Sequence, residues 1–156
     1  IKIENLAVSS SLGKTEIRIH IRNQYADDEN EQKYELGRAS RHKENDLQNK
    51  PYETITSINK TTLDDYKFDH DVGFIKIDVE GHELEIIRGG KNFLKQYKPT
   101  MLVEIEERHS GKNPREIIKE ICEIGYSCFT VDEELKLVEL TDLSEFNQNN
   151  FIFKAK

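Results

Sequence analysis

Three charged side chains alternate with aliphatic residues in the segment from Phe74 to Glu80. If this segment is a β-strand, Lys76, Asp78 and Glu80 lie on one face, because successive side chains point to opposite sides. A central strand of a parallel sheet is normally apolar on both faces, since helices cover both. The two acids at its carboxyl end therefore favour a functional site. The alternative is that they only cap helices or solvate loop ends.

The segment of residues 101–106 repeats this pattern, with its acids on one face and towards its carboxyl end. Ligands of open α/β sheets bind in the crevice outside the carboxyl ends of the strands. We therefore expect Asp78, Glu80 and Glu104 to converge at one sheet edge, with Lys76 beneath them or paired to one of them. Repulsion between carboxylates raises a pKa, and a carboxylate with a raised pKa suits a general base for a hydroxyl group.

Other catalytic and metal-binding patterns are weaker. His82 and Glu83 begin an HExxH-like run, but Ile86 stands where the second zinc-binding histidine is required. An Asp-x-Glu-x-His set of ligands ending at His82 is a minor alternative, and we expect no metal site. Cys122 and Cys128 match neither a CxxC nor a zinc-ligand spacing, which indicates free thiols in a reducing compartment.

The second half of the chain alternates between strand and helix patterns. The predicted strands are residues 72–79, 101–105, 126–131, 135–140 and 150–153, and the predicted helices are residues 83–97 and 114–124. Asn113 and Gly125 are suited to cap the second helix. This order predicts a parallel sheet with helices packed on its faces. We expect the last two strands to pair antiparallel at one edge.

The first half is less regular. Strand patterns cover residues 1–8, the alternating stretch from Thr15, and residues 52–58, and residues 62–66 resemble a capped helical turn. Residues 23–50 are dominated by charged and amide side chains. We predict a long mobile loop there.

Composition limits the number of domains and the class of ligand. The 156 residues are 35% hydrophobic and 34% charged, with a formal net charge of −7. Because roughly 100 to 200 residues form one domain, we predict a single domain over residues 1–156. An acidic surface repels phosphate backbones, so we expect no nucleic-acid partner. No run approaches the ~20 apolar residues of a membrane helix. We expect a cytoplasmic protein and leave its oligomeric state open.

The run from Phe74 to Gly90, FIKIDVEGHELEIIRGG, closely resembles the central motif of the FkbM family of S-adenosylmethionine-dependent methyltransferases. Residues 5–9, 62–65 and 150–153 agree with the family in order. The resemblance implies a Rossmann-like, class I methyltransferase fold: a mostly parallel sheet with helices on both faces and an antiparallel edge strand. It also implies S-adenosylmethionine as cofactor and O-methylation of a hydroxyl on a sugar, a glycan or a small natural product.

The resemblance also implies roles for the candidate residues. Asp78 and Glu80 would face the methyl donor and the acceptor hydroxyl, and one of them would be the base. Asp78 and Val79 would contact the donor, and Glu104 would close the pocket.

The family's glycine-rich donor loop is expected before Ile1, so the chain resembles the C-terminal portion of the domain. We therefore expect residues 1–8 to lack a strand partner, and residues 1–156 alone to bind the donor weakly or not at all and to show no turnover. The alternative function is that of a non-catalytic α/β module that binds a glycan or a protein partner through the same cleft.

Overall fold

A computed structural model of the protein describes residues 1–22, 33–40, 52–106, 113–143 and 148–156. These residues form a mixed α/β fold with nine strands and three helices. The strands are β1 (Ala7–Val8), β2 (Gly13–Arg22), β3 (Lys33–Ser40), β4 (Tyr52–Thr61), β5 (Phe74–Ile77), β6 (Thr100–Glu104), β7 (Tyr126–Val131), β8 (Leu137–Glu139) and β9 (Asn150–Ala155). The helices are α1 (Glu83–Arg88), α2 (Lys91–Tyr97) and α3 (Pro114–Ile124).

The strands form two mixed sheets. The first has the order β1-β4-β2-β3, and the second has the order β5-β6-β9-β7-β8. In the second sheet β5 and β6 pair in parallel, and β9 pairs antiparallel with both β6 and β7. It follows that β5, β6 and β7 run in the same direction. The predicted order of strand, helix and strand, with residues 74–79 parallel to residues 101–105, is confirmed, and in the observed register Phe74 lies opposite Thr100.

The expected pairing of residues 135–140 with residues 150–153 is wrong. β9 lies between β6 and β7, whereas β8 is an edge strand that pairs antiparallel with β7. Burial gives the reason, because Phe151 and Phe153 are completely buried while Leu137 and Val138 are about half exposed. The more apolar strand occupies the interior of the sheet.

The predicted helix over residues 83–97 is two helices, which meet at Gly89 and Gly90. A Cβ atom at Gly89 would overlap the backbone of Ser9 and lie 2.9 Å from Ser10 Cα. One at Gly90 would lie 2.8 Å from Leu63 Cδ1. The glycine pair therefore permits close packing against the loop after β1 and against Leu63.

α3 follows its predicted limits. The Asn113 side chain accepts a hydrogen bond from Arg115 N at 3.0 Å, and Gly125 ends the helix with φ of 118°. Its apolar stripe is completely buried at Ile117, Ile118 and Ile121. Stripe and caps together explain why a helix forms at this point in the sequence.

The first sheet differs from expectation at two places. Only Ala7 and Val8 of residues 1–8 form a strand, and this strand pairs in parallel with β4, so the expectation that it lacks a partner is wrong. The predicted loop over residues 23–50 contains β3, which pairs antiparallel with β2. The remainder of that predicted loop lies outside the described residues.

The capped turn after β4 is confirmed. Thr62 Oγ1 accepts a hydrogen bond from Asp65 N at 3.0 Å and donates one to Asp65 Oδ2 at 2.7 Å. The next side chain, Leu63, is buried and belongs to the same core as the helices and the second sheet. The turn thus fixes the junction between the two sheets.

Candidate functional site

The parallel pairing of β5 with β6 brings acidic residues together where the two strands end. Ile77 is in register with Val103, so the next residues along each strand are Asp78 and Glu104. The Asp78 carboxylate is close enough to Glu104 to raise its pKa by charge and by hydrogen bonding, and Lys76 forms an ion pair with Asp78. The predicted pairing of Lys76 with one of the acids is therefore confirmed.

The pKa values of two members of this cluster, Glu104 and Lys76, are raised. Burial raises the pKa of Glu104, and the negative charges of Asp78 and Glu106 raise it further, while Lys76 opposes the shift. The hydrogen bond to Asp78 raises the pKa of Lys76, so the lysine stays charged. Glu104 is thus the member of the cluster in which a proton is held more tightly than in an ordinary glutamate.

The backbone leaves the strand conformation at Glu80, shortly after β5 and Asp78. Both Glu80 and Gly81 have positive φ, 50° and 97°, so strand alternation ends before them. The charges that act on Glu104 come from Asp78, Glu106 and Lys76. The convergence of Glu80 with the other acids therefore stays a prediction.

Sequence reasoning did not assign a role to Glu106 or to Asn149. Glu106 is 8% exposed, and its Oε1 accepts a hydrogen bond from Asn149 Nδ2 at 2.6 Å. Asn149 O accepts a hydrogen bond from Ile105 N at 2.7 Å, which fixes the segment beside the end of β6. The alternation of acids along β6 pointed to Glu106, whereas no sequence signal pointed to Asn149, because it comes from a segment 43 positions away.

A cavity of about 390 Å³ lies between β1 and β5, beside the acidic cluster. Its wall is mainly aliphatic, with residues from β1, β5 and α1, and it includes Val79. Lys76, Asp78 and His82 also line it. We call this space the carboxylate cavity. An apolar enclosure with a few charged groups is typical of small-molecule sites.

Ser9 closes one side of the carboxylate cavity through His82. The Ser9 Oγ and His82 Nε2 atoms are 3.1 Å apart, and Ser9 is 2% exposed. Nearby, Ser10 Oγ donates to Glu85 Oε2 at 2.6 Å, and Gly81 N donates to the buried Glu83 Oε1 at 2.9 Å. The contacts of Ser9 and Ser10 tie the loop after β1 to the start of α1, and the Gly81–Glu83 bond closes the turn that precedes this helix.

The described residues contain no group of three or more histidine, cysteine, aspartate or glutamate side chains arranged to hold a metal ion. Within the same part of the chain, no helix has the length and apolar character required to cross a membrane. Cys122 and Cys128 are free thiols.

The fold and the site together are typical of a ligand-binding α/β protein, because carboxylates lie at the ends of parallel strands beside an apolar cavity. The family model described as Methyltransferase FkbM domain matches residues 2–128. The chain belongs to the FkbM methyltransferase family. No curated protein and no solved structure matches it.

Proposed function

We propose that the protein is an S-adenosylmethionine-dependent O-methyltransferase that acts on a hydroxyl of a sugar, a glycan or a small natural product. Membership of the FkbM family supports a methyl-transfer reaction. The observation that carries the proposal is the Asp78–Glu104 pair beside the carboxylate cavity. A hydroxyl acceptor must lose a proton as it gains a methyl group, and the pair supplies a carboxylate for that proton.

Each residue of the acidic cluster has a separate role in the proposed reaction. Glu104 accepts the proton of the acceptor hydroxyl, since its raised pKa makes it a better base than an ordinary carboxylate. The ion pair with Lys76 holds Asp78 in place beside it. Glu80, at the turn that follows β5, is the second candidate base carried over from the sequence.

The carboxylate cavity fits the expected donor in size and in charge. Its volume of about 390 Å³ falls in the range of roughly 300–1,000 Å³ seen for ligand pockets. S-adenosylmethionine supplies an electrophilic methyl group on a positively charged sulfur. Asp78 would face that positive charge, and Val79 with the aliphatic wall would exclude water from it.

The strand directions support a class I methyltransferase fold. β5, β6 and β7 run in the same direction, with β9 inserted antiparallel between the last two.

We also propose a cytoplasmic location, with which the two free thiols are consistent. The partners we propose are small-molecule or glycan substrates.

Transfer of a labelled methyl group tests the proposal in the natural full-length protein. The donor is S-adenosylmethionine, and the acceptors are a panel of glycans and hydroxylated natural products. We compare Glu104→Gln, Glu80→Gln and Asp78→Asn with Glu123→Gln, an exposed glutamate of α3. Loss of general-base catalysis lowers the rate by roughly 10²–10⁴-fold, so we expect that loss for Glu104→Gln and none for the control.

Two outcomes would contradict the proposal. Unchanged turnover in Glu104→Gln would remove the base assignment. Donor binding without methylation of any acceptor would favour the non-catalytic module that binds a glycan or a protein partner.

A further inference from the structure

A second cavity, of about 430 Å³, lies between the turn after β4 and helix α2. Four aromatic rings form a row along it: Tyr66, Phe68, Phe93 and Tyr97. Neighbouring ring centres are 4.8, 4.9 and 4.8 Å apart. We call this space the aromatic groove.

One ring of the row, Phe93, is buried, and the rings on either side of it are partly exposed. Phe93 is 4% exposed, whereas Phe68 and Tyr97 are 36% and 37% exposed. Phe68 and Tyr97 both pack against Phe93 at tilts of 38° and 32°. Phe93 is therefore fixed in the core while its two neighbours present ring surface to a ligand.

Polar groups line the same groove. Asn92 and Gln96 of α2 and Lys67 of the preceding segment are among its lining residues. Asp64 holds the start of α2, because its Oδ1 accepts from Phe93 N at 2.7 Å and its Oδ2 accepts from Asn92 Nδ2 at 3.0 Å. The Asn92 amide is thus held in one orientation, with its oxygen available to a donor.

We infer that the aromatic groove binds a pyranose ring of a carbohydrate. One face of a pyranose is apolar and can lie on the Phe68 or Tyr97 ring, while the hydroxyls at its edge are matched by the Gln96 and Asn92 amides. Amides are suited to a neutral polyhydroxyl ligand because each offers both donors and an acceptor. A pocket of aromatic walls with a few fixed polar groups is the usual form of such sites.

A cationic ligand fits the groove less well. Lys67 and Asp64 both line it, so its two charged side chains offset each other and give a cation no net attraction. The Tyr66 ring, which could attract a cation, is already covered by Lys2, whose Nζ lies 5.9 Å from the ring centre. Charge therefore favours a neutral ligand over a basic peptide.

The groove and the carboxylate cavity are neighbours, because Leu63 lines both. We place the next residues of a bound glycan towards the wall that Leu63 shares with the carboxylate cavity. This relation rests on the proposed function, and it narrows the acceptor to a glycan of at least two sugar rings. Binding in the groove itself needs neither donor nor turnover.

Saturation-transfer and chemical-shift NMR with the protein test the inference. The probes are methyl pyranosides of glucose, galactose, mannose and N-acetylglucosamine, and a trisaccharide of each. Phe68→Leu keeps apolar bulk but removes the ring, whereas Phe68→Tyr keeps the ring. We expect at least one sugar to bind, with affinity lowered roughly 3- to 10-fold by Phe68→Leu and preserved by Phe68→Tyr.

Two glutamines provide a matched control. Gln96→Ala removes a groove amide and should lower affinity by roughly 3- to 10-fold, the usual effect of one lost hydrogen bond. Gln148→Ala removes an exposed amide that donates to Val131 O at 3.1 Å, and it should leave sugar binding unchanged. Circular dichroism of each variant verifies that the fold is kept.

The inference is overturned if no sugar of the panel shifts the Phe68 or Tyr97 resonances, or if Phe68→Leu and Gln148→Ala bind equally well. Binding of an arginine-rich peptide in the groove in place of every sugar would also overturn it. Sugar binding without any methyl transfer would instead refute the proposed function and leave the groove assignment standing.

Discussion

The carboxylate cavity and the aromatic groove lie on either side of Leu63 and differ in how their walls arise. The first takes its charged groups from the end of a β-strand, where parallel pairing aligns Asp78 with Glu104. The second takes its rings from a turn and a helix that meet at Asp64. The chemistry proposed for the first cavity depends on a carboxylate with a raised pKa, whereas that proposed for the second depends on ring surfaces and amides.

The contrast shows two ways in which a chain assembles a site. Strand alternation concentrates acids at one point of the sequence, so the carboxylate cavity is visible as a local pattern. The aromatic groove unites Phe68, from the segment after the Thr62 turn, with Phe93 and Tyr97 of α2, and no local spacing links Phe68 to the other two. The functional groups of the carboxylate cavity are therefore indicated by a sequence pattern, whereas those of the aromatic groove are brought together by tertiary packing.

The largest expected effect separates the two cavities by function. Glu104→Gln should lower methyl transfer by roughly 10²–10⁴-fold while leaving sugar binding in the aromatic groove unchanged, because the variant removes a base and no groove contact. Turnover assays and NMR titrations of the same variant measure the two properties. Equal losses in both would mean that the cavities act as one site.

Leu63→Ala removes the wall that the cavities share. Leu63 is 8% exposed, and truncating a buried leucine costs about 2–5 kcal/mol of unfolding free energy. Urea denaturation measures this loss, with Leu135→Ala as control because Leu135 is 86% exposed. A change below about 0.5 kcal/mol, the range of ordinary surface substitutions, would show that Leu63 is not part of the core.

Gly89→Ala tests the contact that closes the carboxylate cavity from the side of β1. The added methyl group would overlap the Ser9 backbone, and such overpacking costs about 1–3 kcal/mol. Gly73→Ala is the matched control, since a Cβ there meets nothing within 4 Å. If both variants unfold at the same urea concentration, the loop after β1 does not pack against α1 in solution.

The smallest expected effect concerns stability and pH. Because the pKa of folded Glu104 is raised, its ionised form destabilises the fold, so Glu104→Gln should raise the unfolding free energy at neutral pH. This gain should vanish as the pH falls through the raised pKa to the ordinary value of 4.5, where wild-type Glu104 is also neutral. Urea denaturation at a series of pH values measures the difference. If the gain in unfolding free energy grows towards acid pH, the pKa of Glu104 is lowered in the folded protein and not raised.

Local patterns were enough for several elements. Asn113, the apolar stripe of α3 and Gly125 all act within one helix, so the predicted helix was confirmed at both ends. Parallel pairing of β5 with β6 followed from strand, helix and strand order, since a right-handed crossover leaves nearly one packing. The acidic cluster was predictable for Asp78 and Glu104 because both follow paired strand residues.

Predictions that depended on distant partners were less successful. The helix predicted over residues 83–97 is broken because Gly89 meets Ser9, a residue 80 positions away in the chain. β9 enters the interior of the sheet because Phe151 and Phe153 need a buried position between β6 and β7. The residues of a strand do not indicate which two other strands it will lie between in the sheet.

The sequence by itself determined which side chains could do chemistry at the end of β5, and which family the chain belongs to, because both are recorded in one continuous motif. Tertiary structure alone decided that Glu104 is the carboxylate with a raised pKa, since that shift depends on burial and on charges from Asp78 and Glu106. It also decided that Leu63 separates two cavities. Local spacing fixes the face on which a residue lies, whereas its neighbours and its exposure to water depend on the whole fold.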